Sequence, residues 1–476
     1  MLKFTYGFNQ IGGLMKIRFY VLLCIIAAIL LCGCTNVDDV PEQSSVYTYI
    51  EPAERLYVTK PTSAAETSET PLTFSEISEI SETVIETEIT TSETTTETTT
   101  EITTETTTEA TTISETEKSE TTAENLEEIP AIPLYESDFS ADKEHVKISG
   151  RTYTNSSGTV ILSNTCSAVE FAFCGTLAEI TLTSDCKSSK ARVGIFVNGE
   201  RTIDTMLTEK NTTLKAFESN TPRNCIISVV KLSEQSHSYV GVKNIHAVTE
   251  YGIIPTPERE RKIEFIGDSI TCGYGIDAPN EHYDFSTETE DGSKTYAVLI
   301  GNALNADVNI VAWSGIGAYS CYTSGDEPSQ WKLVSGIYGN TDTMHTSKKW
   351  DFSSWQPDVV VINIGTNDNS WTRGITQRVD TFGSAYYELI CKVREKNPDA
   401  YIICSLGAMG KELLPEIKEQ VEYYSANTGD YHIATFEFDM QNGYKDGYGA
   451  DYHPSSKTHQ KMADKLAPFI AELMNW

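Results

Sequence analysis

The apolar positions of this chain change period along its length. Near the N-terminus they form one unbroken run, Phe19 to Leu31, preceded by Lys16 and Arg18. About a dozen apolar residues are too few to span a bilayer and suit the hydrophobic stretch of an export signal. From about 35 to 130 the pattern dissolves into runs such as "TSETTTETTTEITTETTTEATT", almost without aromatic residues. Such a segment cannot bury enough apolar area to offset its ordering entropy, so disorder is predicted there.

From about 135 to 255 short runs alternate apolar and polar residues: "VKISGR", "AVEFAFCG", "EITLTSD", "RVGIFVNGE" and "NCIISVVKL". Asn198-Gly199 predicts a tight hairpin turn. Many short strands with turn signals predict an all-β sandwich or jelly roll. From about 257 to 476 the apolar runs become continuous, as in parallel strands buried on both faces: "KIEFIG", "DVNIVAWSG", "DVVVINIG", "AYIICSLG" and "HIATFEFD". Helical stripes lie between them, the clearest formed by Ile375, Val379, Phe382, Tyr386, Ile390 and Val393. Strand-helix alternation predicts an α/β domain with a doubly wound parallel sheet. The expected organisation is a signal segment at 1–33, a disordered linker at 34–130, a β domain at 131–256 and an α/β domain at 257–476. The connection "YGIIPTPERE" is short and holds two prolines, which predicts two packed domains rather than two mobile ones.

Composition adds three points. The 476 residues are 39% hydrophobic, enough for sizeable cores in two or three domains. The formal charge of -32 argues against a nucleic-acid partner, because phosphate binding needs a basic surface. About half of that charge falls between about residues 60 and 128, where mutual repulsion of Glu side chains predicts an extended stalk. Thr- and Ser-rich composition of this kind suits O-glycosylation. The signal run ends in Leu31-Cys32-Gly33-Cys34, which resembles a bacterial lipobox. That resemblance implies lipid attachment at Cys34, a membrane partner, and a place on the outer face of the bacterial cytoplasmic membrane. Of the other cysteines, Cys174 and Cys404 sit in strand-like runs and read as buried thiols. Cys272 and Cys321 flank the motifs described next, and a disulfide between them is open. No cysteine or histidine spacing is zinc-like, so neither a metal nor a cofactor is expected.

Three strand ends and one loop carry chemistry. "IEFIGDSITCGYG" places Ser269 after the first parallel strand, "NIVAWSGIGAY" places Gly315 after the second, and "VVVINIGTNDNS" places Asn367 after the third. "GADYHPSSKTHQKMADKL" places His453 on a loop leading into the last helix. Ligands of open α/β sheets bind beyond the carboxyl ends of the strands. A serine hydroxyl needs a neighbouring base, and imidazole supplies one. The resulting oxyanion needs preorganised donors. The Ser269 amide at a helix start, the Gly315 amide and the Asn367 side chain are the candidates.

These segments together resemble the SGNH (GDSL-type) hydrolase superfamily, with its flavodoxin-like sheet, over essentially all of 257–476. The resemblance implies that Ser269 is the nucleophile, His453 the base, and Gly315 and Asn367 the oxyanion donors. "KIEFIGDSITCGYG" with "SGIG", "GTND" and "DYHPS", after a β domain, is most similar to carbohydrate esterase family two. Members of that family are acetyl esterases of xylan- and glucomannan-type polysaccharides, which implies an acetylated polysaccharide substrate; a monomer is expected. Many SGNH enzymes place Asp three residues before the histidine. Here that position is Ala450, and Asp451 is only two before, so a Ser-His dyad is favoured over a triad with Asp451. Asp268 and Asp368 are expected to brace loops. Tyr274, Trp313 and Trp371 are candidates for either a glycan cleft or the core. His282, His345, His432 and His459 read as surface or structural. Two alternatives remain: a lipase or thioesterase with a long apolar cleft, and an inactive glycan-binding protein.

Overall fold

A computed structural model describes residues 133–476 apart from 187, 236–237 and 344–346. The expected signal segment, Cys34 and the 34–130 linker lie outside the described residues. No described helix is long and apolar enough to cross a membrane.

The first part is all antiparallel. Its strands are β1 (Tyr135–Phe139), β2 (Lys147–Ser149), β3 (Thr152–Thr154), β4 (Val160–Leu162), β5 (Ala168–Thr183), β6 (Arg192–Val197), β7 (Glu200–Met206), β8 (Asn211–Lys231) and β9 (Val240–Pro255). They form a nine-stranded sheet in the order β3-β4-β9-β5-β8-β6-β7, with β1 on β9 and β2 on β5. The expectation of short strands needs correction. "AVEFAFCG" and "EITLTSD" belong to one 16-residue strand, and "NCIISVVKL" closes one of 21 residues. The pairing of β5 with β8 slips between Gly175 and Leu177 and again between Ala178 and Glu179. Such bulges bend long strands, so a run that reads as two strands continues as one. Alternate residues point inward: Val169, Phe171, Ile180 and Leu182 of β5 pack with Ile227 and Val229 of β8 and Val242, Ile245 and Ala247 of β9. The hairpin at Asn198-Gly199 forms as predicted, both residues having positive φ.

The second part is a five-stranded parallel sheet of β10 (Arg261–Gly267), β11 (Ala306–Ala312), β12 (Val359–Asn363), β13 (Tyr401–Ala408) and β14 (Ile433–Met440). All five strands match the continuous apolar runs. Their order is β11-β10-β12-β13-β14, the flavodoxin-like arrangement, which opens a crevice where the winding reverses at β10. The helices are α1 (Ser269–Cys272), α2 (Tyr296–Ala303), α3 (Val334–Ile337), α4 (Thr366–Thr372), α5 (Thr376–Lys396), α6 (Leu414–Thr428), α7 (Gly443–Asp446) and α8 (Ser456–Met474). Helices α5 and α6 cover one face of the sheet, meeting Val360, Ile362, Ile402 and Cys404. Helices α2 and α8 cover the other, meeting Val359, Val361, Phe265 and Ile403. Both faces being buried explains the unbroken apolar strands. The predicted stripe forms α5, except that Ile375 is its exposed N-cap.

The two parts are joined by 256–260, because Tyr251 still belongs to β9. Their seam buries charged groups. Arg151, fully buried, reaches from the β part to Glu264 of β10 at 2.9 Å and to the carbonyls of Tyr338 and Asn340. Glu264 also accepts from Asn309 Nδ2 at 2.7 Å and Tyr338 Oη at 2.8 Å. Removing one partner of a buried pair leaves an uncompensated charge, which costs about 3–5 kcal/mol. Arg151→Met is therefore expected to lower unfolding stability by about that much in denaturant titration, and Arg151→Met with Glu264→Gln to recover more than half. A loss below about 1 kcal/mol for the single variant would show the pair to be dispensable.

Candidate active site

Ser269, Gly315, Asn367 and His453 converge on one cleft of about 680 Å³ at the carboxyl ends of β10, β11 and β12. Ser269 follows β10 directly. The preceding Asp268 is the N-cap, its Oδ1 accepting from Ile270 N at 3.0 Å. Helix α1 is a single turn of four residues, so the dipole expected at Ser269 is small. The Ser269 side chain meets His453, with Oγ and Nε2 2.9 Å apart. The other ring nitrogen, Nδ1, lies 3.1 Å from the Ala450 carbonyl oxygen. A carbonyl can only accept, so Nδ1 carries the proton and Nε2 is the acceptor facing Ser269.

The Asp451 carboxylate does not bond His453, although its charge and its main chain act on the ring. The carboxylate accepts from Tyr274 Oη at 2.7 Å. Tyr274 in turn stacks on the His453 ring, with centroids 4.0 Å apart and planes at 24°. Ala450 is fully buried against Gly275, whose φ is +56°. A Cβ on Gly275 would lie 2.3 Å from that of Ala450, so the close approach of the two segments requires glycine at 275. Asp451 and Tyr452 both take positive φ, 48° and 59°, and this turn aims His453 back at Ser269. Each such residue costs on the order of 1–3 kcal/mol, which the surrounding contacts must offset. Burial pushes the His453 imidazole down to about 4, opposed by its main-chain bonds to Ala450 and Asp451 and by the Asp451 charge.

Gly315 has φ +82°, and a Cβ there would meet nothing within 4 Å. Its backbone conformation, rather than lack of space, is what calls for glycine. Asn367, at the start of α4, donates Nδ2 to the Ile316 carbonyl at 2.8 Å and to Asp268 Oδ2 at 3.2 Å. Asp268 thus caps α1 and holds Asn367; burial pushes its carboxyl up to about 7. Asp368 braces the loop after Gly315, accepting from the amides of Ala318, Tyr319 and Ser320 at 2.8–2.9 Å.

Of the aromatic candidates only Tyr274 lines the cleft. Trp313 and Trp371 are buried, Trp313 against Trp331 and Trp371 with its Nε1 donating to the Asp326 carbonyl. Tyr322, Asn369, Ser370 and Met409 also line the cleft; Asn369 and Ser370 end the segment that carries Asn367, and Tyr322 and Met409 lie in no motif. Cys272 and Cys321 are free thiols; Cys272 lies beside Glu234, and Cys321 donates to the Lys332 carbonyl. Cys404 is buried as expected, whereas Cys174 is half-buried. His459 is buried and structural, with Nδ1 accepting from Tyr296 N at 3.2 Å. His282 is exposed, and His345 lies outside the described residues. Among the described residues, Glu234, Cys272 and Glu290 bring potential metal-ligand atoms within 4.8 Å of one another. Glu234 Oε2 is already bonded by Ser314 N and Cys272 Sγ, and Glu290 Oε2 by Glu234 N.

Residues 148–257 match the family Carbohydrate esterase 2 N-terminal, and 263–466 match GDSL-like Lipase/Acylhydrolase. A solved structure of a family two carbohydrate esterase from Clostridium thermocellum, in complex with cellohexaose, is 31% identical. It superposes with a TM-score of 0.62 over 70% of this chain and 99% of that one. The chain belongs to carbohydrate esterase family two. Cellulase/esterase CelE of Acetivibrio thermocellus is 34% identical over 326 residues, 65% of this chain and 37% of that protein. The chain thus spans little more than a third of that relative's length. An acetylxylan esterase / glucomannan deacetylase of Cellvibrio japonicus is 24% identical, covering 71% of this chain and 91% of that protein.

The partly buried His453 of this family two member has a direct readout. In an NMR titration the His453 imidazole is expected to protonate near pH 4, and Tyr274→Ala to move that value up toward about 6.5 by admitting water. A wild-type midpoint near 6.5 would mean that the ring is solvated.

Proposed function

We propose that this chain is a serine esterase that removes O-acetyl groups from polysaccharides of the xylan or glucomannan type through an acyl-enzyme. The observation that carries the reading is the 2.9 Å contact of Ser269 Oγ with His453 Nε2, in a cleft shared with Gly315 and Asn367. In this reading His453 Nε2 takes the Ser269 proton as Oγ attacks the acetyl carbonyl carbon. The imidazolium keeps its Nδ1–H on the Ala450 carbonyl, so a main-chain oxygen does the orienting that a carboxylate does in a triad. The carbonyl oxygen becomes an oxyanion facing the amides of Ser269 and Gly315 and the Asn367 side chain. The second Asn367 N–H, held only at 3.2 Å, is the one free to change partners. Collapse breaks the ester bond, and Nε2 gives its proton to the departing sugar oxygen. A water then attacks the acetyl carbon as His453 Nε2 takes its proton; the acyl–Oγ bond breaks, Nε2 returns the proton to Ser269 Oγ, and acetate leaves.

The cleft presents groups that can hydrogen-bond a sugar, Ser314, Thr366, Asn369, Ser370 and Asp451, beside Tyr274 and Met409. Tyr322 at its edge is 66% exposed and Tyr452 next to His453 is 52% exposed, and aromatic faces suit sugar rings. The relatives named as acetylxylan esterase / glucomannan deacetylase support the acetyl and polysaccharide assignments.

Short-chain nitrophenyl esters and acetylated xylan or mannan are the test substrates. Ser269→Ala and His453→Ala are expected to lose activity nearly completely while remaining folded, and Asp451→Asn to lose less than about tenfold, or about 1.4 kcal/mol. An active, folded Ser269→Ala variant would overturn the nucleophile, and equal losses for Asp451→Asn and His453→Ala would overturn the dyad. Because His453 must be neutral to accept a proton, activity is expected to persist as pH falls below 6 and to vanish through about 4.

The N-terminal pattern supports a surface location. Leu31-Cys32-Gly33-Cys34 after a short apolar run suits lipid attachment at Cys34, and the Thr/Glu tract then acts as a stalk. Cys34→Ser is expected to leave the precursor unprocessed and to remove the protein from the membrane fraction. Unchanged processing and fractionation would defeat the anchor.

A further inference from the structure

The loop after β8 enters the α/β part and stops beside the cleft. Residues 232–235 are all buried. The Leu232 carbonyl accepts from Gly292 N at 2.8 Å, and Gln235 bonds Asp342 and Thr343. Between these anchors, Glu234 donates its amide to Glu290 Oε2 at 2.9 Å. Lys231, fully buried, donates Nζ to the carbonyls of Ser233 and Glu234 and supplies the local positive charge. The Glu234 side chain is thereby driven between α1 and the loop after β11. Its Oε2 accepts from Ser314 N at 2.8 Å and lies 3.5 Å from Cys272 Sγ.

Ser314 immediately precedes Gly315. Fixing the Ser314 amide restrains the peptide immediately before the one that carries the Gly315 N–H, and so limits how that next peptide can turn. The other anchors of this loop come from the α/β part itself: Asp368 beyond it, Asn367 on Ile316, and the Gly315 carbonyl accepting from Tyr322 N. Glu234 is the anchor that the β part contributes. We propose that Glu234 is a positioning residue for the esterase reaction, by which the β domain sets the direction of the Gly315 oxyanion donor. The inference rests on the serine esterase reading of the cleft. It gives the fused β domain a part in catalysis without bringing any of its side chains to the substrate. A shift of about 1 Å in such a donor can cost on the order of 100-fold in rate.

Two variants of the full chain separate reach from charge. Glu234→Asp keeps the carboxylate beside Lys231 but withdraws it by one methylene from Ser314 N. Glu234→Gln keeps an oxygen acceptor at the original reach. Glu234→Asp is expected to lower kcat for an acetyl nitrophenyl ester by about tenfold or more with KM changed less than about twofold. Glu234→Gln is expected to stay within about threefold of wild type. Labelling of Ser269 by a fluorophosphonate, which also builds negative charge toward the oxyanion donors, is expected to slow in parallel with kcat. Wild-type kcat and labelling in Glu234→Asp would overturn the proposal. So would equal losses in both variants, since a merely structural Glu would not discriminate by reach. A wild-type chain that neither turns over the ester nor labels at Ser269 would instead overturn the esterase reading beneath it.

Discussion

A charge taken out of water must find its counterpart within a few ångströms, and the seam between the two parts of this chain is built on that constraint. Glu264 lies inside the parallel sheet, where water cannot solvate it, and Arg151 from the β part meets it. Glu234 and Glu290 pack under the cleft, and Lys231 from the end of β8 lies among them. Neither half could bury these groups alone without a large desolvation penalty. The halves are therefore coupled electrostatically as well as by the short connection, and the geometry of the cleft inherits that coupling through Ser314.

Within the α/β part the same economy of partners arranges the candidate residues. Each buried acid serves several donors. Asp268 caps α1 and holds Asn367. Asp368 gathers three consecutive amides after Gly315. The histidine is handled differently, through a main-chain carbonyl and an aromatic face. The Ala450 oxygen sets its tautomer, while the Tyr274 ring excludes water from one side. The Asp451 carboxylate accepts from the Tyr274 hydroxyl and so braces the ring that stacks on the histidine.

Much of this was legible before any coordinates. The five parallel strands and the long amphipathic helix follow from period alone, because burial on both faces demands unbroken apolar runs and burial on one demands a stripe. Ser269, Gly315 and Asn367 stand out because their motifs fall at strand ends, where a parallel sheet of this order opens its crevice, and His453 because its motif fills the loop before the last helix. The lengths of β5 and β8 were not legible, because a bulge interrupts the two-residue alternation as a turn does. Trp313 and Trp371 could have faced either core or cleft, since adjacency to a motif carries no direction.

What the sequence by itself determined is local: which segments extend, which coil, where the turns fall, and which residue types stand where the strands end. What the tertiary structure alone decided is which of those groups touch. The displaced acid at 451 left two partners open for His453, and only the left-handed turn at Asp451 and Tyr452 sent its carboxylate to Tyr274 and the ring to Ala450. Cys272 and Cys321 flank the motifs, yet Cys272 lies beside Glu234 while Cys321 donates to the Lys332 carbonyl. Glu234 is 80 residues from Ser314 and belongs to no motif. No periodicity reports a hydrogen bond across that separation, because its existence depends on how two independently patterned sheets are packed.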